Sequence, residues 1–496
     1  MTVAESAASV AFLDGPAKRL LIGGAWQPAA LGKVARSIDP ATGRPIAEVA
    51  DGTAEDVERA VRAARTAFDG PWRRCTPAMR MKLILRFADV VERHADELSV
   101  IDTLDMGAPL ARARGGVASG LARLRWNAAQ AVSIHGETPS HSLPGEFLTY
   151  TVKEPVGVVA AIIPWNSPVA SALWKLGPVL ASGCTVVLKP AEEAPLTALR
   201  LGELALEAGV PEGVINIVTG AGEIVGAALT AHPDVNKVAF TGSFETAQAV
   251  IRASAGNMKR LSLELGGKSP NIVFADADIE AAAQGAANAI FLGSGQICSA
   301  GSRLFVERPA YDELVARVAD LSRSMITGSG LDPATQIGPL VSRAQLDRVT
   351  GYLETGRRQG ARAVSGGQRL TDGEHADGYF VPPTVFRDVT DDMVIAREEI
   401  FGPVLSALPF ETLEEVAQRA NAIPGGLASG VWTSAGGRAH RLAKMLRAGT
   451  VWINCYQVMD PAMPFGGYGA SGYGREGGIQ HLEEYLQVKS VYAQLD

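Results

Sequence analysis

"VGVVAAII" at residues 156–163 is a run of small and β-branched apolar side chains with no polar residue among them. A strand covered by helices on both faces reads this way, because neither face needs a polar partner. Three more such runs follow: "TVVLKP" at 185–190, "VINIVTG" at 214–220 and "KVAFTGS" at 237–243. Between the second and third lies "PLTALRLGELALEAGVP", a helical stretch stopped by Gly209 and Pro211. Repeated strand and helix alternation predicts an α/β fold with a doubly wound parallel sheet. Its ligand crevice is expected at the carboxyl ends of the strands. The alternation resumes after Asn271, which predicts a second α/β region.

Towards the amino end, "DGTAEDVERAVRAARTAF" (51–68) sets Val57, Ala60, Val61, Ala64 and Phe68 at helical spacing. Thr53 and Asp56 form a near capping box at its start. Helices are predicted to dominate up to about Ile134. "FLTYTVKE" (147–154) then alternates, with Leu148, Tyr150 and Val152 on one face, and "LQVKSVY" (486–492) is a further strand near the carboxyl end. These two peripheral strands, 147–153 and 486–492, are free to pair or to extend a neighbour's sheet. At about 150 residues per domain, 496 residues predict two or three domains.

A net charge of −7 leaves no basic footprint for nucleic acid or an anionic membrane, so a small-molecule partner is expected. Cys75, Cys184, Cys298 and Cys455 are far apart and lack metal or redox spacing, so no metal is expected and a reduced, cytoplasmic setting fits. The stretch "MTVAESAASVAFLDGPAKR" lacks the basic start and long apolar region of a secretory leader. The longest apolar runs fall short of the ~20 residues a membrane span needs.

Several turns carry polar groups that allow two readings. "GAGEIVG" (220–226) is one residue too long for the usual dinucleotide fingerprint, and is either a tight turn before a helix or backbone set close to a nucleotide. "FTGSFETAQ" follows a strand and opens a helix, where free N–H groups and the Ser243 hydroxyl face an anion. In "IIPWNSP", Asn166 either caps the next helix or donates to an oxyanion. In "KPAEEAP", Lys189 and Glu192 are surface charges or ribose ligands. Glu264, between two leucines in "LELGGKSP", faces solvent or a crevice, where it would serve as a general base. Cys298 in "GQICSAG" is a structural thiol or an accessible nucleophile.

Taken together and in order, these segments resemble the aldehyde dehydrogenase superfamily over almost the full chain. "IDPATGRPIAEVADGTAEDVERAVRAARTAF", "EEIFGPV" and "PFGGYGASGYGREGG" extend the likeness. The resemblance implies two doubly wound α/β domains, one Rossmann-like for the cofactor and one catalytic, plus a small β oligomerisation element. The implied division is 1–134 and 154–264 for NAD binding, 265–463 for catalysis, and 135–153 with 464–496 for oligomerisation, in a homodimer or homotetramer.

The same resemblance makes Cys298 the nucleophile, Glu264 the general base and Asn166 the oxyanion donor. It assigns Lys189 and Glu192 to the adenosine ribose. Ile163, Pro164, Trp165, Gly222, Gly242, Ser243, Leu265, Glu399 and Phe401 match positions lining the dinucleotide, expected to be NAD in preference to NADP. Ser167, Ala170, Ser171, Trp174, Ile297, Ser299, Gln457 and Met459 match the substrate tunnel. No Arg or Lys stands among those eight, so a medium or bulky apolar aldehyde is expected and semialdehydes of dicarboxylic acids are disfavoured unless an unmatched loop brings in a basic group. Phe244 and Ala247 depart from the family's usual Thr and Gly in "GSTxxG".

The implied reaction is oxidation of an aldehyde through a cysteine thiohemiacetal and a thioester, which Glu-activated water hydrolyses. A CoA-acylating relative, a catalytically silent protein on the same fold, and a Cys-His hydrolase are the alternatives. Glu264 speaks against the first, and the presence of Cys298, Glu264 and Asn166 together against the second. No His near these motifs favours the third.

Overall fold

The computed structural model describes residues 10–495, so the first half of the stretch read for a leader lies outside the described residues. An eight-stranded sheet runs in the order Ala25–Gln27, Leu20–Ile22, Ile215–Ile217, Thr185–Lys189, Val158–Ile162, Lys237–Gly242, Arg260–Leu265 and Gly472–Tyr473. Its five central strands are parallel. Every residue of Val158–Ile162 and of Thr185–Lys189 is buried, as expected for strands covered on both faces. Burying each Val or Leu there contributes roughly 1.5–3 kcal/mol.

Chain order reverses between Val158–Ile162 and Lys237–Gly242. The chain proceeds from Val158–Ile162 outward through Thr185–Lys189 to Ile215–Ile217, then returns to lay Lys237–Gly242 on the other side. Loops leaving the carboxyl ends of those two neighbours diverge, which opens a crevice. Into it run Pro164 and Trp165 from one strand and Gly242 and Ser243 from the other.

A seven-stranded sheet follows, in the order Arg362–Ser365, Thr384–Arg387, Val404–Phe410, Arg303–Glu307, Pro270–Val273, Ala428–Trp432 and Thr450–Ile453. All but its first strand are parallel. Packing against the two sheets forms several separate apolar clusters, which is why neither sheet needs the other to be covered.

Helix dominance in the first 134 residues holds only after Asp51. Helices Ala54–Asp69, Pro77–Arg93, Ala95–Met106 and Leu110–Gln130 are present, and the Thr53–Asp56 capping box forms. Before them lie four strands, and two, Leu20–Ile22 and Ala25–Gln27, complete the edge of the first sheet. They are three residues each, too short to show a period of two. The two peripheral strands pair with each other, Phe147–Pro155 against Leu486–Gln494, in an antiparallel ladder. Leu148, Val152, Val488 and Tyr492 on this ribbon are exposed. Among the described residues no helix is long and apolar enough to cross a membrane.

Candidate functional site

Cys298 sits on a loop shaped by three consecutive left-handed residues, Gly293, Ser294 and Gly295. Gly295 is required there, because a side chain would lie 2.0 Å from the Gly402 carbonyl oxygen. The Ser294 hydroxyl donates to the Gly338 carbonyl at 2.7 Å, and Gln296 Oε1 accepts from the Val341 N–H at 3.0 Å. The loop is thereby stapled to its neighbour and holds Cys298 half-buried at the crevice. Burial pushes the Cys298 thiol up to about 12, helped by the Glu399 and Glu264 carboxylates, while the Ser299 backbone N–H pulls the other way.

Asn166 reaches this loop from the end of the Val158–Ile162 strand. Its Nδ2 donates to the Gln296 carbonyl at 2.7 Å, two residues before Cys298. An amide nitrogen carries two hydrogens, so one remains for a ligand oxygen. The helix Pro168–Ser182 begins next, and its cap residue Ser167 turns its hydroxyl to the Asn166 carbonyl. Asn166 is therefore not the cap.

Glu264 is 4% exposed, next to the carboxyl end of the Arg260–Leu265 strand, so its side chain faces a buried crevice and not solvent. Leu263 and Leu265 point the other way into the core. Neither carboxylate oxygen has a hydrogen-bond partner. Burial and the Glu476 charge push Glu264 well above the ordinary carboxylate range, with Lys175 and Arg475 opposing. Gly466 makes room for it, since a side chain there would stand 2.7 Å from Glu264 Oε1.

Two of its neighbours were not singled out in the sequence. Lys175, on the Pro168–Ser182 helix, forms a fully buried ion pair with Glu476. A lysine on an apolar helix gave a faint signal, but its partner is 301 residues away. Arg123 was not singled out either; its guanidinium lies 4.0 Å over the Trp174 ring. The absence of a basic side chain holds for the eight tunnel positions, but this helix residue reaches their wall.

The expected cofactor positions gather around the reversal point. Lys189 is 3% exposed, its Nζ donates to the Pro190 carbonyl at 3.0 Å, and burial lowers its pKa while Glu192 opposes. Glu192 Oε1 accepts from the Gly222 N–H at 2.7 Å, which ties the "GAGEIVG" turn to the strand end. Ser243 caps the Phe244–Ala253 helix, its Oγ accepting from the Thr246 N–H at 3.2 Å. Phe244 is exposed in the first turn, and Ala247 is buried against the sheet. The side chains of Ile163 and Leu265 are buried, so they can offer a ligand only backbone.

Trp165 and Phe401 meet edge to face with centroids 5.3 Å apart, across the two sheets. Glu399 Oε1 accepts from the Gly267 N–H at 3.1 Å, and burial raises its pKa to about 7. Two carboxylates, each with one oxygen on a backbone N–H and the other unbonded, together with a buried lysine and a helix amino terminus, fit a dinucleotide's ribose hydroxyls and phosphates.

Ser167, Ala170, Ser171 and Trp174 share one partly open face at the start of their helix. Ile297 is half-buried, and Met459 is exposed at the rim. Gln457 Nε2 donates one hydrogen to the Ala289 carbonyl at 3.2 Å. Ser299 is 3% exposed and its carbonyl accepts from the Tyr456 hydroxyl at 3.0 Å, so it adds little open wall. Cys184 is buried, with its sulfur on the Tyr485 carbonyl at 3.5 Å.

Comparison with known proteins agrees with this geometry. The profile of the aldehyde dehydrogenase family matches residues 26–491. Mitochondrial aldehyde dehydrogenase family 2 member B4 of Arabidopsis thaliana is 47% identical over 481 residues, 96% of this chain and 88% of the relative. Mitochondrial benzaldehyde dehydrogenase of Antirrhinum majus is 46% identical over 499 residues, 98% of this chain and 92% of the relative. The NAD+ complex of an aldehyde dehydrogenase from Bacillus cereus superposes with a TM-score of 0.95 at 46% identity, covering 98% of both chains. The chain belongs to the aldehyde dehydrogenase family.

Proposed function

We propose that this protein oxidises aldehydes to carboxylic acids with NAD, and that Cys298, Glu264 and Asn166 carry the chemistry. The observation that carries the reading is the placement of Glu264: a buried carboxylate with both oxygens unbonded, close enough to Cys298 to raise its pKa. An unsatisfied buried carboxylate costs stability, and function is the usual reason to keep one.

Cys298 Sγ, once ionised, bonds to the aldehyde carbon, and the carbonyl π electrons move to oxygen. The free Asn166 amide hydrogen and the Cys298 backbone N–H donate to that oxyanion, a contact worth about 3 kcal/mol in a transition state. Lys189, Glu192, Glu399 and the turns at Gly222 and Ser243 would hold NAD, which would supply the hydride acceptor needed to oxidise the thiohemiacetal to a thioester. Glu264 then takes a proton from water as the water oxygen adds to the thioester carbon, and the Cys298 thiolate leaves. The Lys175–Glu476 pair acts on Glu264 through charge, Glu476 raising and Lys175 lowering its pKa. Glu264 has no role in transfer of the acyl group to CoA, which supports hydrolysis over CoA acylation.

Trp174 and the small residues Ala170 and Ser171 favour a medium or bulky apolar aldehyde, and the relative named for benzaldehyde supports an aromatic body. Residues 1–134 and 154–264 serve the cofactor, 265–463 catalysis, and 135–153 with 464–496 assembly into a dimer or tetramer, in the cytoplasm. The exposed apolar side chains of the peripheral ribbon support such assembly. The test is NADH formation from an aldehyde panel, with and without CoA. Cys298→Ala should abolish turnover and leave NAD affinity within a few-fold. Turnover by that variant overturns the assignment.

A further inference from the structure

Among the described residues, Arg123 is a buried cation with no carboxylate in contact; Glu476 and Asp460 act on it only at longer range. It is 5% exposed on the Leu110–Gln130 helix, and among the described residues no carboxylate lies within 4.0 Å of it. Glu476 is held by Lys175, and Asp460 is exposed with its Oδ1 on the Ala462 N–H at 2.8 Å. Nη1 is committed to Ser119, through the carbonyl at 3.2 Å and the hydroxyl. Nη2 has only the Met459 sulfur, at 3.6 Å, and Nε has no partner.

Nε and Nη2 form one edge of the guanidinium, the edge that takes a carboxylate side-on with two parallel hydrogen bonds. Here that edge is bare except for a thioether, which is a weak acceptor. Met459 is 40% exposed and unbranched, so it can move aside. The guanidinium carbon lies 4.0 Å from the Trp174 ring centroid, a cation–π contact that helps to hold the buried, unpartnered edge in place.

Trp174 and Met459 belong to the substrate tunnel, so the inference rests on the aldehyde reading above. On its other side Trp174 neighbours Phe465, with ring centroids 6.1 Å apart, and Phe465 is followed by Gly466, which abuts Glu264. An aromatic wall thus runs from the base to Arg123. The geometry points to Arg123 as a specificity residue that receives a carboxylate at the end of the substrate remote from the aldehyde. The substrate class is then an aldehyde with an apolar body and an anionic far end. The carboxylate displaces the Met459 sulfur and pairs with Nε and Nη2; no covalent step is involved.

The test compares kcat/KM for a graded series of ω-oxo carboxylic acids and 4-carboxybenzaldehyde against their methyl esters, in wild type, Arg123→Met and Arg123→Lys. At the length that spans the wall, wild type should prefer the acid to its ester by about tenfold or more. Arg123→Met should remove that preference, and Arg123→Lys should keep part of it, because the charge survives but the fork does not. The wild-type ratio decides without any variant: esters as good as acids at every length overturn the proposal. Equal losses on acid and ester in Arg123→Met also overturn it, since a purely structural arginine behaves that way. Ester turnover without acid preference defeats only the role of Arg123, whereas no NADH from any acid or ester defeats the aldehyde reading as well.

Discussion

Lys175 and Glu476 form an ion pair that is almost wholly shielded from water, with side chains 1% and 6% exposed. Lys175 holds Glu476 below the ordinary carboxylate range despite its burial, and the resulting charge helps to raise Glu264 beside it. Burial is the larger cause of that rise; Glu476 adds to it, and Lys175 opposes.

Lys175→Met leaves the Glu476 charge buried without its partner, and breaking a buried pair in this way costs about 3 to 5 kcal/mol. Urea denaturation should show that fall, and the double variant Lys175→Met, Glu476→Gln should recover much of it. A single-variant loss under about 1 kcal/mol would show that the pair contributes little.

The thiol of Cys298, pushed up to about 12, is a small thiolate fraction at neutral pH. That fraction grows as pH rises, so alkylation by iodoacetamide in the absence of cofactor should accelerate about tenfold per pH unit above neutrality, without a plateau. Peptide mass spectrometry separates Cys298 from the other three cysteines. A rate that levels off near neutral pH contradicts the raised pKa.

If the proposed roles hold, Glu264→Gln removes the base for water and leaves Cys298 and Asn166 in place. Rapid mixing should give a burst of NADH close to one per active site, then very slow turnover, with an acyl adduct on Cys298 by intact mass. Added CoA should not restore turnover. Normal steady-state rates would refute the role, and the absence of both burst and adduct would move Glu264 to thiolate formation.

Glu192 has one oxygen on the Gly222 N–H, and under the proposed reading the other would accept from a ribose hydroxyl and the charge would repel a 2′-phosphate. Wild type should therefore favour NAD over NADP in kcat/KM. Glu192→Gln, which keeps the acceptor and removes the charge, should narrow the ratio by about tenfold, or ~1.4 kcal/mol. A wild type that prefers NADP shows that the acid serves another purpose.

Along the tunnel, each added methylene that reaches apolar wall contributes about 0.8 kcal/mol, or roughly fourfold in kcat/KM. Unbranched aldehydes should climb at that rate from acetaldehyde until the tunnel is filled. If acetaldehyde proves the best of the series, the wall around Trp174 does not hold the substrate.

The buried parallel strands, the turns after them and the glycine-bounded loop of Cys298 were legible in the sequence, because each depends on neighbours within a few residues. A run such as Val158–Ile162 buries every side chain and therefore looks uniform. Family likeness then located Asn166, Glu264 and Cys298, which the structure brings to one crevice. The three-residue strands Leu20–Ile22 and Ala25–Gln27 escaped, since a period of two needs more residues to appear.

Only the tertiary structure decided that Glu264 has no bonding partner, that Lys175 is neutralised by Glu476, and that Arg123 lies on Trp174 with one edge bare. Those facts are not encoded in any local pattern. Arg123 reads as one of four arginines on a helix of mostly small and apolar residues, and its burial arises from packing against the Pro168–Ser182 helix and the Met459 segment, 336 residues further along the chain. The energies of buried charges depend on what surrounds them in space, and sequence order carries no distance between residues 123, 175, 264 and 476.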